Sequence, residues 1–351
     1  MSRYYTKVCN FYYGNQSKKL VSKNKSIPLN GIKEISFDQI EILTRNSKKK
    51  IFINRIKYLP KLLRKKINLD LKKIKSKKKN FSNLNFKKIP NILGVLNLTP
   101  DSFSDGGKFN SKKRGITHAI NLLKSGANLI DVGGESTRPG SKSIKENLEW
   151  QRICKILKSL LKKKVPISLD TRKSKIMSKG INLGIKLIND VSGLEFDSKT
   201  LSVLKKHKVP FVIQHSQGLP ENMQKKPKYK NELLDIYDFF EEKIKLLRSR
   251  GIKHEKIILD PGIGFGKNLK HNMSLIRNIS IFHSLGFPIL VGNSRKRFIK
   301  EISGKNDSKL RNGGTIASSI YLMMQGVQIL RIHDVNETMQ GLKIFKNIIN
   351  N

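Results

Sequence analysis

Short apolar segments of strand length recur eight times after residue 90, and each is followed by a segment with helical periodicity. The predicted strands lie near 91–97, 127–132, 165–170, 186–190, 209–214, 256–260, 287–292 and 327–331. The predicted helices lie near 112–125, 145–163, 173–183, 198–207, 231–250, 270–285, 309–325 and 335–349. Eight strands that alternate with eight helices predict an α/β fold, a closed (β/α)8 TIM barrel. A doubly wound open sheet is the weaker alternative.

Polar residues end most of these apolar segments, at the place where a parallel barrel carries its active site. The segments end on Asn97, Asp131, Asp170, Asn189, Asp260 and Arg331, and Lys296 follows the seventh. Four of these side chains can together read a flat heterocycle that has an amidine-like edge and a carbonyl: Asp170, Asn189, Asp260 and Lys296. Asp260 suits the amidine-like edge because a carboxylate accepts two parallel N–H donors.

A second group of residues predicts an anion site beside the heterocycle. Arg331 and His333 are two residues apart, so their side chains point the same way from an extended segment. Together with Thr137 and Arg138 they suit a pyrophosphate group. The side-chain oxygen of Asn97 suits Mg²⁺, which shares its coordination shell with phosphate oxygens and water.

Three loops after strands complete the predicted site. The segments 97–106 and 133–140 are polar and contain glycine and proline, which is typical of lids that close over a substrate. The segment 262–267 is rich in glycine but matches neither the phosphate-loop motif nor the dinucleotide motif. It predicts a close approach of the backbone to a flat ligand. The sequence offers no Ser-His or Cys-His arrangement that would indicate a covalent nucleophile.

From about residue 91 to 349 the chain resembles the dihydropteroate synthase family. The resemblance rests on an ordered set of motifs, which begin at Asn97-Leu-Thr-Pro-Asp-Ser-Phe-Ser-Asp-Gly-Gly, Asp131-Val-Gly-Gly-Glu-Ser-Thr-Arg-Pro-Gly, Ser168-Leu-Asp-Thr-Arg, Ile188-Asn-Asp-Val, Asp260-Pro-Gly-Ile-Gly-Phe-Gly-Lys, Ser294-Arg-Lys and Arg331-Ile-His-Asp-Val. It implies a transferase that condenses 6-hydroxymethyl-7,8-dihydropterin diphosphate with 4-aminobenzoate, giving dihydropteroate and pyrophosphate in folate biosynthesis.

The resemblance also implies a role for individual residues. Asn97 would be the Mg²⁺ ligand, and Arg331 and His333 would hold the pyrophosphate. The pterin diphosphate would contact Thr137, Asp170, Asn189, Asp260 and Lys296. Phe103 and Pro139 lie on lids that would frame the aminobenzoate, and Ser294 and Arg297 would flank that pocket.

One residue departs from the family pattern, and two other functions compete with the synthase. Gln214 precedes His215 where the family commonly has methionine, which puts a packing contact on the pterin face in doubt. A pterin-binding methyltransferase barrel would share the Asp and Asn contacts but would have no use for a pyrophosphate site. A basic nucleic-acid-binding protein is the alternative from another functional class, and salt-dependent RNA binding would favour it.

Residues 1–88 differ in composition from the predicted catalytic domain at 89–351 and are predicted to form a lysine-rich extension. The net charge of +45 is spread over the whole chain, so we expect no nucleic-acid partner. With no long apolar run and two cysteines, the sequence predicts a cytoplasmic enzyme without a membrane partner, and we expect a homodimer. Within the extension, the capping-box pattern at 36–39 predicts a short helix through Leu43, and 72–80 predicts a solvated linker.

Overall fold

The computed structural model describes residues 3–99, 112–218 and 220–350. After residue 90 the chain forms eight parallel strands: β5 (Asn91–Asn97), β6 (Leu129–Gly133), β7 (Ile167–Asp170), β8 (Leu187–Asp190), β9 (Phe211–Gln214), β10 (Ile257–Asp260), β11 (Leu290–Val291) and β12 (Ile329–Ile332). In the sheet they are neighbours in the order β10-β9-β8-β7-β6-β5-β12-β11. A parallel bridge between Leu259 and Ile289 joins the two ends of this order and closes the barrel. The predicted TIM barrel is therefore confirmed.

Helices follow the strands around the outside of the barrel. They are α3 (Lys112–Lys124), α4 (Glu146–Lys162), α5 (Ser174–Asn182), α6 (Thr200–His207), α7 (Glu232–Ser249), α8 (Leu269–Arg277), α9 (Arg297–Ser303), α10 (Asn312–Met324) and α11 (Val335–Asn350). The predicted helix at 270–285 is divided, because α8 ends at Arg277 and a separate 3-10 helix spans Ile279–Leu285. None of the helices that the structure describes is long and apolar enough to cross a membrane.

The inside of the barrel has an apolar floor below a polar upper end. The floor contains one apolar side chain from each of seven strands: Leu93, Leu129, Leu187, Val212, Ile258, Leu290 and Ile329. Leu84 and Phe86 pack against this layer from the segment before β5, and the side chain of Asn91 holds that segment through the backbone N–H of Asn85, at 2.8 Å. The amino-terminal end of the barrel is thus closed, and the site lies at the other end.

The amino-terminal extension folds into a compact layer of its own. It contains β1 (Tyr5–Tyr13), α1 (Gly14–Ser22), β2 (Ile27–Leu29), β3 (Ile32–Leu43), β4 (Lys48–Phe52) and α2 (Lys61–Lys75). The four strands form an antiparallel sheet in which β3 pairs with all three others. Its buried residues form a core separate from that of the barrel, with Phe37, Ile40 and Ile67 among them.

Two local predictions for the extension are wrong. The helix predicted from the capping-box pattern at 36–39 is part of β3, since that strand has hydrogen-bonded neighbours on both sides. The Ser36 hydroxyl is buried among Ser17 and Ser26 and caps no helix. The predicted linker at 72–80 begins inside α2, and the ammonium of Lys78 donates to the carbonyl of Gly286 at 2.7 Å. This segment therefore attaches the extension to the barrel.

The layer packs against one side of the barrel. β1 and α2 both contact the 3-10 helix Ile279–Leu285, all of whose residues are buried. The hydroxyl of Ser280 donates to the carbonyl of Val8 at 2.9 Å, and Tyr5 is fully buried within the barrel's own hydrophobic core. The extension thus shares an apolar interface with the barrel.

Candidate active site

Arg331 lies at the centre of the barrel mouth between two carboxylates. Its Nε donates to Asp131 at 2.6 Å and its second guanidinium nitrogen donates to Asp170 at 2.7 Å. Asp131 is fully buried and Asp170 is 5% exposed, so both ion pairs are shielded from water. Burial raises the pKa of Asp170 to about 7, with a further contribution from Asp131, although Arg331 acts in the opposite direction.

Asp131 also fixes the amide of Asn189. The amide nitrogen of Asn189 donates to the same Asp131 oxygen at 3.0 Å, which leaves the Asn189 carbonyl oxygen as a free acceptor. That oxygen and the second oxygen of Asp131 are buried and accept no hydrogen bond from the described residues. Buried acceptors of this kind are costly unless a donor reaches them. The upper end of the barrel therefore presents unpaired acceptors where a ligand with N–H groups would satisfy them.

Asp260 ends β10 beneath the glycine-rich loop. One of its carboxylate oxygens accepts the backbone N–H of Gly262 at 2.7 Å, and burial raises its pKa to about 6. Gly262 has a φ of +69°, and a Cβ there would stand 1.9 Å from the carbonyl oxygen of His215. Only glycine can therefore occupy this turn, which holds the loop tightly against the barrel end.

Lys296 approaches the site from the segment after β11. Its ammonium stands 4.2 Å from the ring centroid of Phe265 in the glycine-rich loop, within the range of a cation–π contact. The pKa of Lys296 is lowered to about 8, first by burial and then by the nearby Arg331, while Asp260 and Asp170 oppose the shift. Phe265 was not among the predicted site residues, although it lies inside a motif that carried the family resemblance.

Asn97 and Asp170 lie on either side of Gly133. A Cβ on Gly133 would be 3.6 Å from the Asn97 side-chain oxygen and 3.5 Å from an oxygen of Asp170. In the described part of the chain, no group of three or more His, Cys, Asp or Glu side chains could hold a metal ion. One amide oxygen beside a carboxylate fits Mg²⁺ nonetheless, because this ion is commonly held by one or two protein oxygens, substrate phosphates and water.

The predicted anion site is placed around Arg331 and His333. Both the backbone N–H and the Nδ1 of His333 lie within hydrogen-bonding distance of the Ser294 hydroxyl, at 3.2 and 3.1 Å. Burial lowers the pKa of His333 well below its usual value, and Arg331 and Arg138 are among the cations that reinforce the shift. His333 is therefore neutral at pH 7 and can donate or accept a hydrogen bond without carrying charge.

The remaining predicted residues are placed less centrally. Thr137 is half-buried in the β6–α4 loop, and Arg138 and Pro139 are exposed beside it. Arg297 pairs with Glu301 along α9, at 2.6 Å, on the exposed surface of that helix. The prediction for Phe103 lies outside the described residues.

A buried ionic network that no sequence motif predicted supports the loop that carries Thr137 and Arg138. Glu135 accepts hydrogen bonds from Arg172 at 2.8 Å and from Lys173 at 2.7 Å. Lys173 also donates to Glu149 in α4, at 2.6 Å. All four residues are at least 93% buried, and the pKa of Glu135 is lowered because these hydrogen bonds outweigh its burial. The network ties the β6–α4 loop to the β7–α5 loop.

Gln214 lies on the inner wall of the barrel, in register with Asp260 on the neighbouring strand. Its amide nitrogen donates to the carbonyl of Val191 at 3.3 Å, and the side chain is 4% exposed. The departure from the family pattern therefore places a fixed amide beside the predicted heterocycle site.

Comparisons with known proteins agree with this geometry. The family model described as "Pterin binding enzyme" matches residues 93–333, a range that contains every predicted site residue. The chain belongs to this family of pterin-binding enzymes. The dihydropteroate synthase of Escherichia coli K12 is 39% identical over 256 residues, which cover 73% of this chain and 90% of that relative.

Solved structures of dihydropteroate synthases also superpose on this chain. The dihydropteroate synthase of Yersinia pestis, solved in complex with a sulfonamide drug, superposes with a TM-score of 0.73 at 38% identity and covers 76% of this chain and 97% of its own. That of Clostridium difficile, solved in the presence of pteroic acid, superposes with a TM-score of 0.68 at 39% identity and covers 75% and 97%. These matches agree with the activity predicted from the motifs, and the range of the family model leaves the extension outside the matched region.

Proposed function

We propose that the chain is a dihydropteroate synthase, which joins a dihydropterin diphosphate to 4-aminobenzoate and releases pyrophosphate. The observation that supports this most directly is the buried set of acceptors at the barrel mouth, arranged around Arg331. The dihydropteroate synthases among its relatives support the same assignment.

The pterin would lie deep in the barrel with its edges against charged and amide groups. Asp260 would accept N–H donors of the amidine-like edge, and the free oxygen of Asn189 would accept another. Lys296 would donate to the ring carbonyl. Binding would satisfy a buried oxygen that has no donor among the described residues of the free protein, which favours a ligand of this shape over water alone.

The diphosphate would lie at the upper edge of the pocket, near Arg331, His333 and Arg138. The charge of Arg331 and the hydrogen bonds of His333 would stabilise the leaving group as its bond to the pterin methylene breaks. Mg²⁺, held through Asn97 and the diphosphate oxygens, would neutralise the developing negative charge. The residues present fit this ion, since they leave most of its coordination shell to the substrate and water.

The chemistry would be a dissociative substitution. The C–O bond to the diphosphate breaks, and the aniline nitrogen attacks the resulting cationic methylene and loses one proton. The carboxylates Asp170 and Asp260 would stabilise the cationic pterin electrostatically, while the loops keep out the water that would capture it. The aminobenzoate would be framed at the mouth by Phe103, Pro139 and Phe265.

The proposal is tested by mixing the purified chain with both substrates and Mg²⁺ and measuring dihydropteroate and pyrophosphate. We expect pyrophosphate release to require 4-aminobenzoate, and a sulfonamide to compete with 4-aminobenzoate and not with the pterin. Product that persists in excess chelator would contradict the role of Asn97 in metal binding. A folded chain that makes no dihydropteroate would contradict the synthase and favour the methyltransferase.

We also propose that the enzyme works in the cytoplasm as a homodimer. The thiols of Cys9 and Cys154 are both free, which is typical of a reducing compartment. Ile344 and Ile348 lie one turn apart on α11 and are 60% and 68% exposed, which supports a second copy covering this face. Light scattering should give twice the chain mass, and Ile348→Lys should shift it toward the monomer.

A further inference from the structure

Two arginines of the amino-terminal layer bind the acidic side of α7. Arg45 donates to Asp235 and to Asp238, both at 2.7 Å. Arg3 forms an ion pair with Asp238 at 3.0 Å and also donates to Glu241. The two arginines are about equally exposed, at 43% and 44% of their side chains. Their acidic partners differ, because Arg45 contacts Asp235 whereas Arg3 contacts Glu241.

Asp235 connects this interface to a loop at the barrel mouth. While one of its oxygens accepts from Arg45, the other accepts the backbone N–H groups of Lys230 at 2.9 Å and Asn231 at 3.1 Å. These two residues end the loop between β9 and α7. Fixing the Asp235 carboxylate therefore fixes the direction in which the loop enters the helix.

The β9–α7 loop in turn contacts two loops of the active site. Tyr229, next to Lys230, donates through its hydroxyl to the carbonyl of Gly266 at 2.8 Å, and Gln224 donates to that of Gly264 at 2.7 Å. These two glycines flank Phe265. On the other side, the N–H of Gly140 in the β6–α4 loop donates to the carbonyl of Pro220 at 2.8 Å.

We propose that Arg45 is a positioning residue for the catalytic loops, and that the amino-terminal layer supports the aminobenzoate side of the active site through it. The connection runs from Arg45 through Asp235 and the end of the β9–α7 loop to the loops that carry Phe265 and Pro139. The deep pterin contacts depend on it less, because Asp131, Asn189 and Asp260 all lie in strands of the barrel, and the amide of Asn189 donates to Asp131. This inference rests on the proposed function for the identity of the substrates.

The test compares Arg45→Glu with Arg3→Glu. Both variants change the net charge equally, and both place a carboxylate against acidic residues of α7, so they weaken the same interface. We expect Arg45→Glu to raise the KM for 4-aminobenzoate about three- to tenfold, the scale of a partly exposed ion pair that is lost and replaced by repulsion. The Kd of the pterin diphosphate should stay within about twofold. Arg3→Glu should change neither constant. Arg45→Lys should have a KM for 4-aminobenzoate close to that of the unmodified chain.

Hydrogen exchange gives a second measurement that needs no substrate. The amides of Lys230 and Asn231 should exchange faster in Arg45→Glu than in Arg3→Glu, at matched melting temperature. Equal KM values and equal exchange in the two variants would overturn the proposal. If Arg45→Glu does not fold, Arg45→Gln replaces it in both measurements. If the unmodified chain makes no dihydropteroate, the proposed function fails. The exchange comparison would still test whether Arg45 positions the end of the β9–α7 loop.

Discussion

Asp131 was predicted only as the polar end of a strand, without a role in the site. It ends β6 and is fully buried, and a single oxygen accepts from both Arg331 and Asn189. The strand-end pattern marked its position, but its partners lie 200 and 58 residues away in the sequence. No local pattern could show that one carboxylate orients both a cation and an amide.

Replacing Asp131 should therefore lower the activity strongly, because this residue holds both Arg331 and Asn189 in place. We expect Asp131→Asn to reduce kcat/KM by about a hundredfold, because Arg331 keeps one carboxylate partner but loses its orientation toward the diphosphate. Steady-state kinetics on a folded variant measure this. Ser168→Ala is the matched control, since Ser168 lies opposite Asp131 on β7 and its buried hydroxyl has no hydrogen bond with the described residues. Similar losses in both variants would contradict the role of Asp131.

The pH dependence should report three ionisable residues of the pterin site, Asp170, Asp260 and Lys296. Burial raises the pKa of Asp260 to about 6, so below that pH the carboxyl becomes protonated and can no longer accept two N–H donors. Burial lowers the pKa of Lys296 to about 8, so above that pH the ammonium loses its charge. We expect kcat/KM for the pterin diphosphate to be bell-shaped, with an acid limb between pH 6 and 7, where Asp260 and Asp170 become protonated, and an alkaline limb near pH 8. A Lys296→Arg variant that keeps the alkaline limb would contradict its assignment.

Among the structural elements, the loops after β6 and β7 depend on one buried network. Glu135→Gln would leave Arg172 and Lys173 buried with one charged partner fewer, at a cost of about 3 kcal/mol in the free energy of unfolding. Urea denaturation measures this. Glu146→Gln is the control, since its ion pair with Lys175 is largely exposed and should contribute less than about 1 kcal/mol. A Glu135→Gln variant as stable as the control would show that the network does not support the loops.

The strands of the barrel were predictable because each is a short apolar run and most have a polar residue at or near the carboxyl end, so the pattern is local. β3 was not predictable, since its capping-box pattern at 36–39 is also local but is overruled by pairing with Phe11 and other residues of β1. The predicted site also lacked Glu135, because its partner Arg172 is 37 residues away in the sequence. Contacts between distant loops, such as that of Gly140 with Pro220, leave no periodic trace in a single sequence.

For the whole molecule, the extension bears on stability as well as on the site. Every catalytic motif lies after residue 88, and sequence alone would predict an active barrel without residues 1–80. The structure shows that this deletion would remove Tyr5 from the barrel core and uncover the 3-10 helix Ile279–Leu285. We expect a melting temperature lower by about 10 °C, the effect of losing several kcal/mol of apolar burial. Calorimetry measures it, and an unchanged melting temperature would contradict a structural role for the layer.

The closed floor of the barrel has a kinetic consequence. Phe86 and Leu84 close the end of the barrel that faces away from the site, so among the described residues a ligand reaches the strand ends from the opposite side. The groups that would hold the pterin lie at the carboxyl ends of the strands, and Phe265 lies in the glycine-rich loop beside them. We expect the pterin diphosphate to bind first and the aminobenzoate second, because an aminobenzoate bound beside Phe265 would obstruct the way to the strand ends. An aminobenzoate that binds before the pterin diphosphate would hinder binding of the pterin diphosphate. High concentrations of 4-aminobenzoate should therefore inhibit the enzyme.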